Sequence, residues 1–507
     1  MKKLLSLILT SLLFLSGGPA PETIPAETAP VTRMLLIGCD YFVSQPNTAP
    51  VSENNVRTVE EVWADGIPEA PETVRRVNAI RTAEDLWDAV GEAFPGSGAQ
   101  DVNICYISTH GVLPEDGDPA GMTLLFSDGR QEVNITPAEL REMLDTVSGR
   151  KILILDTCYS GAVIGKGMPG LENAFDSPDY LVITSSGAAE RSWFWSATGN
   201  TETGVGYFTG ALALALDAGD GYPADLNRDG IISLTELKKT LGSIHGVSAV
   251  RTWPEKSDEA VLEYDPDAGA TDNARNAVTG LKFDSRVPDP ANPVCGFSFT
   301  VNRPVRMIYR MAVEKDGEWD FSDTSFLFDD AEDGGMVGTL TPGYKERTLT
   351  PGVPEDGKGG YVLLQVIGLS DGIPRLYGTH VICIPADGTS SESTAAEILI
   401  PEQVTAEQGT DIFLHCGVPC AVTAAVLDSD GKVVCYPAVD QATRPEGIRP
   451  EGMTLFWDGA DRHGDKVPAG QYRVRIRLRN GELTREIVSE EFEVCRFAEQ
   501  SGVMGDK

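Results

Sequence analysis

The stretch Lys151-Ile-Leu-Ile-Leu-Asp-Thr-Cys-Tyr-Ser-Gly161 decides the fold of the first half of this chain. It opens with a short, continuously apolar run, which is typical of a strand buried on both faces of a parallel sheet. Asp156, Thr157 and Cys158 follow this run directly. In open parallel sheets, functional groups gather beyond the carboxyl ends of the strands. The stretch therefore predicts an α/β sheet with a chemically active edge.

A second stretch of the same kind carries a histidine. Val102-Asn-Ile-Cys-Tyr-Ile107 has the pattern of a buried strand and continues into Ser108-Thr-His-Gly111. A cysteine in the turn between a strand and a helix faces backbone amides, which lower its thiol pKa. A thiolate beside an imidazole is sufficient for nucleophilic acyl transfer. We therefore expect His110 and Cys158 to form a catalytic pair at one edge of the sheet.

Strands and helices alternate around these two stretches, which predicts a mostly parallel sheet flanked by helices over residues 33–285. Further apolar runs with the strand pattern are Arg33–Gly38 and Tyr180–Thr184. Segments with helical apolar spacing are Ala83–Phe94 after the capping residue Thr82, Pro137–Leu144 after Thr136, and Gly206–Leu216.

Beyond this part the helical spacing fades, and strands punctuated by Gly, Pro and Asp take over. Val305–Ala312 and Gln471–Leu478, for example, alternate along a pleated sheet. The small polar segment Asp387–Ser393 divides the region as a linker would. The pattern predicts two all-β sandwich domains, at residues 290–390 and 395–497.

The charge balance argues against a nucleic-acid partner. Acidic residues outnumber basic residues 76 to 41, and the formal net charge is −35. Nucleic-acid binding needs clustered Lys and Arg side chains that neutralise phosphates.

The N-terminus predicts export. Lys2 and Lys3 precede the apolar run Leu4–Leu15, and small residues follow, which is the pattern of a signal peptide over residues 1–20. A linker rich in Pro, Thr and Ala follows over residues 21–32. The apolar run is shorter than the roughly 20 residues of a membrane span. We therefore expect a secreted, cell-surface or periplasmic protein without membrane contact beyond the signal peptide.

The chain has nine cysteines, so at least one remains unpaired. Cys39 and Cys105 lie in apolar strand-like runs, where a buried cysteine is an ordinary core residue. Cys416 and Cys420 have the look of a metal or redox pair, but no second pair accompanies them. The pairing of the cysteines stays open.

Asp156-Thr-Cys-Tyr-Ser-Gly161 resembles the nucleophile motif of the caspase-like cysteine peptidases, the superfamily of caspases, metacaspases, clostripain and gingipains. The match is to the bacterial and metacaspase form, Asp-x-Cys-x-Ser-Gly, and the similarity covers about residues 33 to 265. Val182–Ser186, Glu190 and Gly206–Thr209 are similar to the family's next strand, its following acidic residue and its Gly-x-Phe-Thr helix start.

The resemblance implies a role for each residue at the two strand ends. Cys158 would attack the scissile carbonyl, His110 would protonate the leaving amine, and the backbone amides of Gly111 and Cys158 would hold the oxyanion. Asp156 and Ser108 would line a pocket for an Arg or Lys side chain, because a buried carboxylate pairs strongly with a cation.

The sequence departs from the family at one pocket position. The family has an Asn-Asp pair after its first strand, and this chain has Asn54-Asn55, so one acidic pocket residue is missing. We expect this departure to weaken or shift the preference for Arg or Lys. Asp40, just past the first strand, is a candidate to replace the missing carboxylate.

Residues 225–236 fit the calcium-loop pattern Asp-x-Asn-x-Asp-Gly-x5-Glu at every position. The expected ligands are the side chains of Asp225, Asn227, Asp229 and Glu236 and the backbone carbonyl of Ile231. Oxygen ligands at these spacings build a Ca²⁺ site of about seven oxygens. Gly230 would permit the sharp turn, and Ile232 would pair in a short strand. The alternative is an Asp/Asn/Gly turn without metal.

Phe456–Tyr472 resembles the last strands of Ig-like domains related to that of the flagellar-hook capping protein. The resemblance implies an Ig-like domain at residues 395–497, with a stabilising or spacer role or a partner at the cell surface. The Asp-Gly and Ala-Gly turns explain most of the pattern, which favours a stabilising or spacer role over a partner at the cell surface.

These features together predict a secreted, calcium-bound cysteine endopeptidase that hydrolyses polypeptides with a Cys158–His110 dyad, after Arg or Lys. Two alternatives stay open. One is a catalytically idle caspase-like protein for surface binding or adhesion, and the other is a transpeptidase that uses the same dyad. The natural substrate, propeptide processing and oligomeric state do not follow from the sequence.

Overall fold

The structure is a computed structural model. It describes residues 30–66, 71–197, 201–265, 276–284, 287–288, 292–316, 318–328, 337–351, 359–370, 373–384, 396–446, 449–480 and 483–496. The predicted signal peptide and residues 21–29 of the predicted linker lie outside the described residues. No helix in the described ranges is long and apolar enough to cross a membrane.

Strands and helices are interspersed up to residue 265, as predicted. In chain order they are β1 (Thr32–Gly38), α1 (Val51–Gly66), β2 (Thr73–Val77), α2 (Ala83–Ala93), β3 (Val102–Ser108), β4 (His110–Val112), β5 (Thr123–Ser127), β6 (Glu132–Ile135), α3 (Pro137–Asp145), β7 (Arg150–Asp156), β8 (Tyr180–Thr184), β9 (Phe194–Trp195), β10 (Val205–Gly206), α4 (Tyr207–Ala215), β11 (Ile231–Ser233), α5 (Leu234–Ile244), β12 (Arg251–Trp253) and β13 (Ala260–Glu263). Thr82 and Thr136 cap α2 and α3, as predicted. Helix α1 has no predicted counterpart.

Six strands form the central sheet, in the order β12-β8-β7-β3-β1-β2. Neighbouring strands run parallel from β2 to β8, and β12 pairs antiparallel with β8 at one edge. The predicted mostly parallel α/β sheet is confirmed. β2 and β3 lie on opposite sides of β1, so the order of strands reverses there, and crevices at such reversals bind ligands.

Successive residues of each strand face opposite sides of the sheet and build two cores. Leu35 and Leu153 pack on the side of α2 and α3, whereas Met34 and Ile152 pack on the side of α1, α4 and α5. Burying one such side chain contributes about 1.5–3 kcal/mol. The two cores therefore hold the strand ends firmly in place.

Beyond residue 265, the regular secondary structure of the described residues consists of strands, as predicted. They are β14 (Val278–Phe283), β15 (Cys295–Val301), β16 (Val305–Lys315), β17 (Glu318–Leu327), β18 (Thr339–Leu340), β19 (Gly343–Leu349), β20 (Gly360–Ser370), β21 (Ile373–Ile384), β22 (Ala396–Leu399), β23 (Gln403–Thr405), β24 (Thr410–Cys416), β25 (Ala421–Leu427), β26 (Val433–Ala442), β27 (Arg444–Glu446), β28 (Arg449–Trp457), β29 (Gly470–Asn480), β30 (Leu483–Val488) and β31 (Phe492–Cys495).

These strands pair antiparallel except for β23 with β31. The larger sheets have the orders β17-β16-β20-β21, β22-β24-β28-β27 and β23-β31-β29-β25-β26. From Val31 onward the chain forms one compact unit. The Ig-like assignment and the domain boundaries therefore stay predictions.

The nine cysteines all lie in the described part of the chain and form no disulfide there. Cys39 and Cys105 are buried in the core, as their sequence context predicts. Cys416 and Cys420 are also buried, with their Sγ atoms 3.7 Å apart.

Candidate active site

The register of the central sheet brings the two predicted strand ends together. β3 and β7 are parallel neighbours, and Ser108 lies opposite Asp156. A Cβ atom on Gly111 would lie 1.9 Å from the carbonyl oxygen of Cys158, so only glycine allows the two segments to approach this closely. The structure thus places the His110-Gly111 segment directly against the Cys158 turn, at the carboxyl edge of the sheet.

His110 is held by the loop that follows β1. Its Nε2 atom lies 3.0 Å from the carbonyl oxygen of Pro46, and its ring packs on Phe42 with the centroids 4.5 Å apart. A carbonyl oxygen only accepts hydrogen bonds, so this contact requires a proton on Nε2, and Nδ1 is then the acceptor nitrogen of the neutral ring.

Asp40 supports this loop and does not serve the pocket. One of its oxygens accepts hydrogen bonds from Thr48 Oγ1 at 2.9 Å and the Ser52 amide at 2.8 Å. The other accepts a hydrogen bond from the Glu53 amide at 2.9 Å. Both oxygens therefore bind the loop and the first amides of α1, as carboxylates at helix N-termini do. Asp40 is therefore not supported as the replacement for the missing pocket carboxylate, because both of its oxygens are bonded to the loop and to α1.

The surroundings of Cys158 differ from the predicted ones. The turn leads into a single 3₁₀ turn, Ser160–Val163, and not into an α-helix whose amides would favour a thiolate. Burial raises the pKa of the thiol, although a hydrogen bond to the Ser192 carbonyl oxygen, 3.5 Å from Sγ, and the charge of Arg191 oppose the rise. The structure therefore raises the pKa of the Cys158 thiol, where the sequence predicts a lowered one.

Asp156 is buried at the end of β7 among hydroxyl groups. Its Oδ1 accepts a hydrogen bond from Ser192 Oγ at 2.7 Å, and its Oδ2 accepts one from Thr209 Oγ1 at 2.6 Å. The hydroxyl of Tyr106 lies 2.6 Å from Thr209 Oγ1 and extends the network. Burial raises the pKa of Asp156 against these donors, and no Arg or Lys in the described part of the chain is bonded to it. Its ionised form would gain from a cation that a ligand brings.

Asn55 occupies the position of the missing carboxylate and joins the same network. Its Nδ2 lies 3.1 Å from Ser108 Oγ and 3.5 Å from Asp156 Oδ2, and its Oδ1 accepts the Gly206 amide at 2.8 Å. A Cβ atom on Gly206 would lie 2.2 Å from Asp156 Oδ2. Glycine at the start of α4 therefore lets this helix approach the carboxylate, and Asn55 bridges the two predicted pocket residues.

The segment after β8 lies along the other side of the nucleophile turn. The carbonyl of Glu190 accepts the amide of Tyr159 at 2.7 Å. Arg191 Nη1 pairs with Glu318 Oε1 of β17 at 2.5 Å. The segment thus connects the Cys158 turn with the first large sheet of the β-rich part.

Pro46 and Ser192 contact the reactive groups, and the sequence pattern does not predict them. Pro46 and Ser192 act partly through backbone carbonyls, which residue type cannot indicate. Thr209 lies in the Gly206–Thr209 segment that resembles the family. This resemblance is the one sequence signal that could have pointed to its contact with Asp156. The sequence identifies Asn55 as a departure from the family. Its bridging contacts could not be predicted, because they depend on α1, which has no predicted counterpart.

The predicted calcium loop, residues 225–236, forms a compact turn in which Asp225 binds loop groups. One of its oxygens accepts the Arg228 amide at 2.6 Å, and the other accepts the Gly230 amide at 3.0 Å and the hydroxyl of Tyr264 at 2.6 Å. These hydrogen bonds outweigh burial and lower the pKa of Asp225.

Glu236 closes the same loop. One oxygen accepts the amides of Leu226 and Asn227 at 3.1 and 3.3 Å, and the other completes the cap of α5 at Ser233. Ile232 pairs with Leu262 in the predicted short strand. In the described ranges, no three His, Cys, Asp or Glu side chains gather closely enough to hold a metal ion. The loop carboxylates bind amides and do not converge on one point.

Comparisons with known proteins give matches among solved structures. No protein-family model and no curated protein matches the chain. The chain is similar to caspase-1 from Spodoptera frugiperda, with 14% sequence identity and a TM-score of 0.25, over 40% of this chain and 77% of that chain. It is also similar to dimeric latent PorU from Porphyromonas gingivalis, with 16% identity and a TM-score of 0.18, over 49% of this chain and 23% of that chain. Both TM-scores are low, so the function proposed below rests on the geometry of the site.

Proposed function

We propose that this protein is a caspase-like cysteine endopeptidase with Cys158 as nucleophile and His110 as its partner in proton transfer. The observation that carries the proposal is the close approach of the two strand ends, in which Gly111 lies against the Cys158 carbonyl. The Pro46 contact supports it, because it orients the imidazole and defines which nitrogen exchanges protons.

Peptide hydrolysis by this pair takes two steps. His110 accepts the thiol proton while Sγ of Cys158 attacks the scissile carbonyl carbon and forms a C–S bond. The C–N bond then breaks, and the imidazolium gives its proton to the leaving amine. Water next attacks the thioester and releases the carboxylic acid and the free thiol. The amides of Gly111 and Cys158 serve as oxyanion donors.

The substrate side chain that enters the pocket is Arg or Lys. Asp156 supplies a buried carboxylate without a cationic partner in the described part of the chain, and Ser108 supplies a hydroxyl beside it. A charge-assisted hydrogen bond from a guanidinium or ammonium group satisfies the carboxylate. Because Asn55 replaces a second carboxylate, the pocket discriminates less strongly than a doubly acidic one.

The loop at residues 225–236 binds Ca²⁺ in this proposal. Asp225, Asn227, Asp229, Glu236 and the Ile231 carbonyl supply oxygen atoms, which is the donor type that Ca²⁺ takes. The β11 pairing and the α5 cap give the loop the local structure that such a site requires. Because Asp225, Asp229 and Glu236 now accept amide hydrogen bonds of the loop, binding of the cation would require these carboxylates to turn toward one point.

The protein acts on polypeptides outside the cytoplasm, as secreted, cell-surface or periplasmic. The N-terminal pattern supports export. We propose the Ig-like region at residues 395–497 as the surface for a cell-surface partner.

Active-site labelling tests the function. The purified chain, with calcium present, is treated with peptidyl acyloxymethylketones that end in Arg, Lys, Asp or Leu, and mass spectrometry locates the adduct. We expect Arg and Lys probes to label Cys158. Absence of labelling and of cleavage in a peptide library would favour the idle binding protein. Coupling of the acyl group to an added amine, in place of hydrolysis, would favour the transpeptidase.

A further inference from the structure

A half-buried network of charges joins the catalytic part of the chain to the C-terminal sheets. Lys166 Nζ lies 3.0 Å from Asp411 Oδ2 and 3.6 Å from Glu255 Oε2, and Lys238 binds the other oxygen of Glu255. The side chains of Lys166 and Asp411 are 12% and 10% exposed. Lys166 Nζ also lies 5.3 Å from the ring centroid of Phe456. Asp411 and Phe456 are opposite each other in β24 and β28, so both hold the same ammonium group.

Lys166 belongs to the loop that carries Cys158. Its amide donates to the carbonyl of Gly161 at 2.8 Å, and its carbonyl accepts the amide of Ala188 at 3.0 Å. A Cβ atom on Gly161 would lie 2.5 Å from the Lys166 carbonyl oxygen. The loop from Cys158 to Lys166 therefore closes on itself. A displacement of Lys166 passes directly to Gly161 and the nucleophile turn.

We propose that Asp411 is a positioning residue for the active site, because it holds Lys166 and thereby fixes the loop that carries Cys158. The C-terminal sheets, β22 to β31, are then part of the catalytic unit and not a spacer. This inference rests on the proposed peptidase function and extends it to a region that the sequence assigns no chemical role.

Partial burial, with 12% and 10% of the two side chains exposed, makes this contact stronger than an ordinary surface ion pair. Exposed ion pairs contribute little, whereas removing one partner of a buried pair leaves an uncompensated charge. Without Asp411, Lys166 and Lys238 share the carboxylate of Glu255. A cleft of about 810 Å³, lined in part by Lys166, Asp411 and Phe456, borders the network and gives the ammonium group room to move. The loop would move with it.

The test compares Asp411→Asn with Asp458→Asn in the full chain. Asp458 is a matched control, because it pairs with Lys256 at 2.9 Å between the same two parts of the molecule. These two side chains are 40% and 59% exposed, and Lys256 lies outside the Cys158 loop. We expect Asp411→Asn to lower kcat about tenfold with little change in KM, as misplacement of a reacting group does. Asp458→Asn should keep the wild-type kcat.

Alkylation of Cys158 by iodoacetamide gives a second readout. A loosened loop exposes more of the half-buried thiol, so alkylation should become several-fold faster in Asp411→Asn while turnover becomes slower. Asp411→Glu keeps the carboxylate and should restore both values toward wild type. Melting temperatures establish that each variant is folded.

Equal turnover and equal alkylation rates in Asp411→Asn and Asp458→Asn would overturn the proposal. Should Asp411→Asn fail to fold, the double variant Lys166→Met with Asp411→Leu removes both charges and replaces them with apolar groups. Normal turnover and alkylation in that variant would also overturn it. Alkylation needs no peptidase activity, so a chain that cleaves no peptide but still responds to Asp411→Asn would contradict the proposed function and support this inference.

Discussion

Asp156 and Asp225 both accept several hydrogen bonds, yet their pKa values move in opposite directions. Asp156 lies behind the strand ends, where burial raises its pKa against the hydroxyl groups that donate to it. Asp225 lies in the loop between α4 and α5, where burial also opposes ionisation, but hydrogen bonds from Tyr264 and from loop amides outweigh it and lower the pKa.

The two regions differ in whether their own hydrogen-bond donors stabilise the ionised carboxylate. The loop stabilises the ionised form of Asp225 with its own donors, so a metal ion adds to a charge that is already present. The strand-end network, as far as the structure describes the chain, leaves Asp156 without a cation, so a basic substrate would complete it. Substitutions at the strand ends should therefore alter the reaction more than the stability, and substitutions in the loop should do the reverse.

Removal of the nucleophile is the largest expected effect. Cys158→Ala should lower kcat/KM by about a thousandfold or more, because the covalent step is lost. The melting temperature should stay close to that of the wild type, because the side chain is only half-buried and loses one sulfur atom. Cys435→Ala, at a half-buried cysteine in β26, is the control and should keep full activity. Turnover by folded Cys158→Ala within about tenfold of wild type would contradict the assignment.

Removal of the pocket charge comes next in size. Asp156→Asn should cost about 2–5 kcal/mol of transition-state binding for Arg and Lys substrates, as loss of one partner of a buried charge pair does. Leu substrates should be affected much less. The measurement is kcat/KM for matched peptides that differ only in this side chain. An equal loss for all peptides would show that Asp156 does not contact the substrate.

The same variant should separate activity from stability. Because the folded-state pKa of Asp156 is raised, the folded protein holds the proton more tightly than the unfolded chain does. Stability therefore falls as pH rises above the unfolded pKa, and is unaffected below it. Asp156→Asn removes this loss, so its melting temperature should equal or exceed that of the wild type at about pH 8 and show no advantage at about pH 3. A lower melting temperature at the higher pH would contradict this.

The sequence predicts the backbone elements of both regions. The predicted bounds of β3 and β7 agree with the structure to within one residue at each end, because a buried parallel strand is a continuous apolar run. β11 and the start of α5 follow from a local pattern in which the loop contacts span few residues.

The electrostatics of the strand-end site could not be predicted in this way. The thiol pKa of Cys158 depends on burial by segments distant in sequence, and the 3₁₀ turn after it replaces the expected helix. Pro46 acts through a backbone carbonyl, which is present at every residue. Asn55 reaches Asp156 from α1, a helix that is absent from the sequence prediction although Val56, Val59 and Trp63 lie at helical spacing.

Substitution in the loop should change stability in a calcium-dependent way. At a hundredfold excess of Ca²⁺ over Kd, binding adds about 2.7 kcal/mol to the free energy of unfolding. The wild-type melting temperature should therefore rise with calcium, and Asp225→Ala should lose this rise. Asp258→Ala, at an exposed acid in the loop before β13, should keep it. Calorimetry that detects no binding, with the same melting temperature in chelator, would establish a turn without metal.

The smallest expected effect sharpens the pocket itself. Asn55→Asp places a second carboxylate where the amide nitrogen lies 3.5 Å from Asp156 Oδ2. Two carboxylates that share a site cannot both ionise easily, so the pKa of one rises further. A cationic substrate relieves this repulsion, so the preference for Arg over Leu should increase several-fold at about pH 8 and shrink at a lower pH of about 5, because lowering the pH favours the protonated form of the carboxylate with the raised pKa. Aspartate can still accept the Gly206 amide, so the start of α4 keeps its contact.

Asn55→Ala removes the amide without adding charge and is the control. The measurement is the ratio of kcat/KM for Arg and Leu peptides at both pH values, and a ratio that Asn55→Asp leaves unchanged would mean that Asp156 alone sets the preference.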